Sequence, residues 1–140
     1  MLLRSLPYHY RIRLMAAPLE TLHMGKLSTH VLDTMHGKPA QGVRVTLFAI
    51  EGGQRHELTR TSTNNDGRCD TPLLQGDAMR PGTYELVFEA GEYFRSKGVN
   101  LPEPRFVDQV ILRFGIASAD ENYHVPLVMT PWTYSTYRGS

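Results

Sequence analysis

The chain contains 140 residues, carries a net charge of +1, and is 41% hydrophobic and 21% charged. These values are typical of one globular domain and exclude an intrinsically disordered chain. No apolar run approaches the roughly 18 residues of a membrane span. The near-neutral charge does not favour nucleic acid or a membrane surface as a partner. The single cysteine, Cys69, excludes a fold that is held together by internal disulfides.

The N-terminal 25 residues differ in character from the rest of the chain. They show neither steady alternation nor a helical stripe, and Arg4, Arg11 and Arg13 interrupt each apolar stretch before a secretory signal can form. We expect a poorly structured extension over residues 1–25, followed by one domain over residues 26–140. The expected location is the cytoplasm, and the alternative is that the extension targets the chain elsewhere.

From residue 26 onward, short alternating segments are separated by turn residues. The alternation predicts strands at 26–33, 42–50, 56–63, 83–90, 105–116, 122–130 and 132–137. The run Asn64-Asn65-Asp66-Gly67 is a strong tight-turn signal. One segment, residues 91–98, is typical of a helical turn. Seven or eight short strands, without a regular exchange of strands and helices, predict an all-β fold, an antiparallel β-sandwich.

Two histidines lie out of phase with the apolar residues of their strands. His30 stands between Thr29 and Val31, and His124 stands between Tyr123 and Val125. If these neighbours face the core, both imidazoles project from the outer faces of their strands. There they could act as acid, base or water-positioning groups. The alternative is that both are ordinary surface or hydrogen-bonded histidines.

Arg68 follows an Asp-Gly turn at the start of a probable strand. Its guanidinium could bind a carbonyl or a developing anion with paired donors, or it could be a solvated turn residue. Cys69 has no partner base beside it and is more typical of a small, semi-buried residue than of a nucleophile. No Cys/His cluster has zinc spacing, and the remaining histidines have no arrangement that separates them from surface histidines: His9, His23, His36 and His56.

The C-terminus follows directly on an aromatic, strand-like segment. A docked end would bring an arginine, a hydroxyl and the terminal carboxylate of Tyr137-Arg138-Gly139-Ser140 to one place. Because most chain ends fray, a frayed tail is the alternative.

Several motifs occur together in a specific order. They are LSTHVLD (27–33), GKPA (37–40), DGRC (66–69), GEYF (91–94), YHVPL (123–127) and the terminal YRGS (137–140). On these motifs, over roughly residues 26–140, the chain resembles the 5-hydroxyisourate hydrolase family, the transthyretin-related enzymes of urate breakdown. The hormone-carrying relative, transthyretin, lacks the terminal tetrapeptide.

The resemblance implies a transthyretin-like sandwich of two four-stranded sheets with one short helix, assembled as a homotetramer with active sites between dimers. It implies hydrolysis of 5-hydroxyisourate to 2-oxo-4-hydroxy-4-carboxy-5-ureidoimidazoline. We expect no cofactor and no metal, because the charge of an arginine beside two histidines repels a divalent ion. The implied catalytic residues are His30, Arg68 and His124, and the implied substrate-binding residues are Tyr137, Arg138, Gly139 and Ser140. The alternatives are a transthyretin-like carrier of small aromatic ligands, which is not an enzyme, and a purely structural sandwich.

Overall fold

The structure, a computed structural model, describes residues 24–139. The expected extension over residues 1–25 therefore lies outside the described residues, except for Met24 and Gly25, and so does Ser140. Gly25 is buried, and its N–H donates to the Ala119 carbonyl over 3.1 Å.

Nine strands and one short helix build the described part of the chain. The strands are β1 (Lys26–Asp33), β2 (Lys38–Pro39), β3 (Arg44–Glu51), β4 (Gln54–Ser62), β5 (Leu74–Gln75), β6 (Gly82–Glu89), β7 (Gln109–Ile116), β8 (Tyr123–Met129) and β9 (Tyr134–Thr136). The helix α1 (Ala90–Ser96) follows β6 directly, and a single 3-10 turn spans Gly76–Ala78. None of the helices within residues 24–139 has the length and apolar character needed to cross a bilayer.

The strands form two sheets. The first has the order β2-β1-β8-β9, with β5 paired to the start of β1, and the second has the order β4-β3-β6-β7. The predicted all-β sandwich of two sheets with one short helix is confirmed. The first sheet is mixed, because β1 and β8 run parallel while the other pairs are antiparallel, and β5 gives it a fifth strand.

Strict alternation along the strands places the core between the sheets. In β1 and β3 every second side chain is buried, and the aromatic residues Tyr84, Phe88 and Phe94 are fully buried. Each fully buried side chain of this size stabilises the fold by roughly 1.5–3 kcal/mol through removal of apolar surface from water. Two strands are clearly shorter than predicted: β9 spans Tyr134–Thr136 instead of residues 132–137, and β7 begins at residue 109 instead of 105. The preceding residues form a loop in which Arg105 donates to Glu103 and Asp108.

A buried carboxylate ties the end of β1 to the helix. Asp33 is fully buried and accepts hydrogen bonds from Tyr93 Oη (2.8 Å), His36 N (3.0 Å) and His36 Nδ1 (2.5 Å). Burial raises the pKa of the Asp33 carboxyl, but the hydrogen bonds outweigh burial and leave that pKa below its ordinary value. His36 lies at the surface, as predicted, and in addition takes part in a structural network through the buried Asp33.

Candidate active site

Both predicted histidines lie on the outer face of the first sheet. The parallel register pairs Ser28 with His124 and His30 with Pro126. The neighbours of the histidines along each strand, including Thr29 and Val125, point into the core and are buried. The two imidazoles are half-buried on the opposite face, as the out-of-phase pattern predicts. The outer face of the β1–β8 pair therefore carries both imidazoles and the Ser28 hydroxyl.

The predicted tight turn brings Arg68 to this face. The Gly67 carbonyl accepts a hydrogen bond from Val31 N–H over 2.8 Å, and Arg68 then pairs with His30 in an isolated antiparallel bridge. Asn64 Oδ1 closes the turn by accepting from the Arg68 N–H over 3.2 Å. Gly67 has a φ of +76°, and a Cβ there would lie 2.4 Å from the Val31 carbonyl oxygen. Only glycine permits this close approach of the turn to β1.

One ring nitrogen of His30 is hydrogen-bonded to the same turn. Nε2 lies 2.9 Å from the Asp66 carbonyl oxygen. A carbonyl oxygen only accepts hydrogen bonds, so Nε2 carries the hydrogen and donates it. In the neutral ring, Nδ1 is consequently the basic nitrogen of His30.

The chain end docks on β8. Gly139 N–H donates to the His124 carbonyl over 2.7 Å and forms an isolated antiparallel bridge with that residue. A Cβ on Gly139 would lie 2.8 Å from His124 Cδ2. The tail therefore packs against the imidazole ring, and a residue with a side chain at this position would displace one of the two.

The Arg138 side chain turns away from the histidines. Its guanidinium carbon lies 4.1 Å from the centre of the Tyr123 ring, and Nη2 donates to the Asn122 carbonyl (3.0 Å) and to Glu121 Oε1 (3.3 Å). Stacking of a guanidinium on an aromatic face together with hydrogen bonds fixes a chain segment firmly. Arg138 thus anchors the tail to the loop before β8.

A cavity of about 490 Å³ opens beside His124. Its described lining consists of Lys26, Ser28, Arg68, Pro72, Asn122, His124, Tyr137 and Gly139. Of the residues predicted for the site, Arg68, His124, Tyr137 and Gly139 line the cavity together. His30 is the bridge partner of Arg68 but is not in that lining, Arg138 contacts the loop before β8 instead, and Ser140 is outside the described residues.

The sequence did not single out four of the lining residues. Ser28 and Lys26 share one face of β1 with His30, because side chains two residues apart point the same way. The alternation along this strand could therefore have identified both residues. Pro72 and Asn122 come from loops, and no periodic pattern marks them. Two cations and no acid line the described part of the cavity, which favours a polar, anionic ligand.

The surroundings of His124 keep its ring neutral. Burial lowers the pKa of the imidazole, and the nearby positive charge of Arg68 and the electrostatic influence of His30 lower the pKa further. A neutral imidazole near pH 7 can accept a proton. No group of three His, Cys, Asp or Glu side chains within residues 24–139 is arranged to hold a metal ion. The arrangement instead places a base beside a guanidinium at a cavity wall.

The two-sheet sandwich, with histidines and an arginine on the outer face of the β1–β8 pair, is typical of one family of proteins. The model of the HIUase/Transthyretin family matches residues 27–139. The chain therefore belongs to the HIUase/Transthyretin family.

Proteins similar to this chain include hydrolases. The chain is 61% identical to the 5-hydroxyisourate hydrolase of Pseudomonas aeruginosa over 117 residues, which are 84% of this chain and 93% of that protein. The solved structure of Klebsiella pneumoniae 5-hydroxyisourate hydrolase matches with a TM-score of 0.68 and 33% identity, covering 84% of this chain and 95% of that chain.

Two further solved structures share the fold. The crystal structure of an (S)-allantoin synthase matches with a TM-score of 0.80 and 43% identity over 84% of this chain, and this chain spans 44% of that one. Sea bream transthyretin in complex with thyroxine matches with a TM-score of 0.74 over 81% of this chain and 94% of that chain. Its identity of 20% supports the shared sandwich and nothing more.

Proposed function

We propose that the protein is an enzyme that hydrolyses 5-hydroxyisourate to 2-oxo-4-hydroxy-4-carboxy-5-ureidoimidazoline. The observation that carries the proposal is the meeting of Arg68, His124 and the docked Gly139 at one cavity wall. The names and high identity of the hydrolase relatives support it. The substrate is polar and readily anionic, and the cationic lining suits such a molecule.

The reaction adds water to the C6 carbonyl and breaks the N1–C6 amide bond. The water oxygen becomes part of a carboxylate, and N1 takes up a proton to become part of the ureido group. His124 accepts the proton of the attacking water, for which its neutral ring is suited. Arg68 stabilises the negative charge that builds on the carbonyl oxygen. A positioned base typically contributes about 10²–10⁴-fold to the rate, and fixed orientation contributes more.

The remaining predicted residues complete the site. His30, which donates Nε2–H to the Asp66 carbonyl, presents Nδ1 as the group that orients water or substrate. Tyr137 and Gly139 form the wall opposite β1, Arg138 holds that wall in place, and Ser140 is the fourth substrate-binding residue of this segment. The reaction needs no cofactor or metal ion.

The active protein is a homotetramer with its sites in the groove between dimers. The open, half-buried face of the β1–β8 pair supports this assembly, because a second copy across the groove would enclose the substrate. The hydrolase domain spans residues 26–140, residues 1–25 are an N-terminal extension whose last residue, Gly25, bonds to the domain through Ala119, and the protein acts in the cytoplasm. Its partner is the small-molecule substrate rather than nucleic acid or a membrane.

The proposal is tested with 5-hydroxyisourate generated from urate by urate oxidase. We expect catalytic amounts of the protein to accelerate the loss of the substrate's ultraviolet absorbance over its spontaneous decay. Unchanged decay at any protein concentration would reject the enzyme. Stoichiometric binding of a small aromatic ligand, without any conversion of that ligand, would instead favour the carrier.

A further inference from the structure

We propose that Ser28 is a positioning residue that holds His124 in the tautomer with its hydrogen on Nδ1, so that Nε2 is the nitrogen that accepts the proton. The inference rests on the proposed function, since it concerns how His124 acts as the base. It adds to the site a residue on the same strand face as His30.

The contact is direct and specific. Ser28 Oγ lies 2.9 Å from His124 Nδ1, within the range of a good hydrogen bond. The two residues are register partners in the parallel β1–β8 pair. Backbone hydrogen bonds on both strands therefore fix the positions from which the two side chains meet, and both side chains line the cavity.

The chemistry of the imidazole decides which partner donates. If the Ser28 hydroxyl donated to Nδ1, the ring hydrogen would sit on Nε2, and neither nitrogen would be free to accept a proton. If Nδ1–H donates to Oγ, Nε2 keeps its lone pair. When Nε2 then gains a proton, Nδ1–H still donates to the same oxygen, so the contact persists through the step without rearrangement. A base at this position thus requires Ser28 to be the acceptor.

The ring is held on a second side. Gly139 packs against Cδ2, the carbon bonded to Nε2, closely enough that a Cβ would lie 2.8 Å from it. The hydroxyl at Nδ1 and the tail at Cδ2 together restrict rotation of the imidazole. Ser28 accordingly sets both the tautomer and the direction in which Nε2 points.

The two histidines carry their ring hydrogens on different nitrogen atoms. The Asp66 carbonyl holds the hydrogen of His30 on Nε2, whereas Ser28 holds that of His124 on Nδ1. The basic nitrogens are therefore different atoms in the two rings. This difference gives His30 and His124 separate roles instead of two interchangeable ones.

The test combines a spectroscopic signature with kinetics on the full chain. Imidazole ¹⁵N shifts of histidine-labelled protein distinguish the two tautomers, and the His124 signals are assigned by their loss in His124→Asn. We expect the Nδ1–H tautomer in the wild type and a mixture of tautomers in Ser28→Ala. We expect kcat of Ser28→Ala to fall roughly 10- to 100-fold, the effect of losing a hydrogen bond to a group that becomes charged, with KM within about twofold.

Rescue and control variants separate positioning from folding. Ser28→Thr keeps the hydroxyl and suits a strand, so it should restore both the tautomer and most of kcat. Ser62→Ala, an exposed residue of β4 in the other sheet, should match the wild type. An Nε2–H tautomer in the wild type, or an unchanged kcat in Ser28→Ala, would overturn the inference. A wild type that holds the Nδ1–H tautomer but does not accelerate 5-hydroxyisourate decay would reject the proposed function separately.

Discussion

At the residue scale, the proposed reaction depends on the imidazole of His124. His124→Asn keeps a polar side chain of similar size but cannot exchange a proton near neutrality. We expect normal folding by circular dichroism and a loss of turnover of about 10²–10⁴-fold, measured as 5-hydroxyisourate decay.

The matched control is His56→Asn. His56 lies on β4 in the other sheet, away from the cavity, so its replacement should leave turnover unchanged. His36 is unsuitable because it binds the buried Asp33. Equal losses at positions 124 and 56 would show that the outward-facing imidazole has no part in the reaction.

The close contact between the tail and the ring makes a second prediction at this scale. Gly139→Ala places a methyl group 2.8 Å from His124 Cδ2 in the unrelaxed geometry, so the ring or the tail must move. A misplaced base is expected to lower kcat roughly tenfold or more, while the melting temperature changes little because Gly139 lies outside the named strands and the buried core. Gly115→Ala is the control, since a Cβ there meets no atom closer than 4.0 Å. Wild-type kcat in Gly139→Ala would contradict the docked position of the tail.

At the element scale, β1 shows what a sequence can predict and what it cannot. Its alternation predicts a strand over residues 26–33, and the structure has the same bounds. Period two also places His30 on the outer face. Parallel pairing with β8, which joins Ser28 to His124 across 96 positions, is a non-local property that alternation does not encode.

The turn before Arg68 and the C-terminal tail also combine features that the sequence predicts with contacts that only the folded chain provides. The Asn-Asn-Asp-Gly run predicts a turn, but its docking on Val31 depends on a contact that only the folded sheet provides. The terminal residues carry no periodic pattern at all. The residues alone do not determine whether this segment docks, because docking depends on Gly139 bonding to β8 and on Arg138 stacking over Tyr123.

The network around Asp33 makes a prediction about stability. Tyr93→Phe removes the hydroxyl that donates to the buried carboxylate over 2.8 Å. We expect the free energy of unfolding at neutral pH to fall by roughly 1–3 kcal/mol, measured by urea denaturation at matched protein concentration. The same change at the exposed Tyr134 should have a much smaller effect.

The sign of the pH dependence follows from the pKa of Asp33. Because that pKa is lowered in the folded protein, the network stabilises the fold at pH values above the ordinary value of 3.8, and the stabilisation is lost as the pH falls through the lowered pKa. The stability difference between the wild type and Tyr93→Phe should therefore shrink in acid. A difference that stays constant down to the acid transition would contradict this account.

At the scale of the whole molecule, the two chain ends should respond differently to extension. A purification tag after Ser140 adds residues directly beyond Gly139, where the tail docks on β8. In the proposed tetramer, symmetry brings two copies of each end into one groove, so one tag disturbs more than one site. We expect activity to fall with folding retained.

The same tag before Met1 is the control. The family match begins at residue 27, so the N-terminal tag should leave activity intact. Circular dichroism confirms folding in both proteins, and 5-hydroxyisourate decay is the readout. Full activity in the C-terminally tagged tetramer would remove Tyr137 to Ser140 from the site.

The most direct measurement of the central proposal follows the C6 carbon of the substrate itself. 5-Hydroxyisourate labelled with ¹³C at C6 is generated from labelled urate in H₂¹⁸O, and ¹³C spectra are recorded over time with and without catalytic amounts of protein. We expect the amide carbon signal to disappear faster with the protein, replaced by a carboxylate signal shifted by one ¹⁸O, and we expect His124→Asn to abolish most of the acceleration. Loss of the amide signal at the spontaneous rate in the presence of the wild-type protein would contradict the proposal.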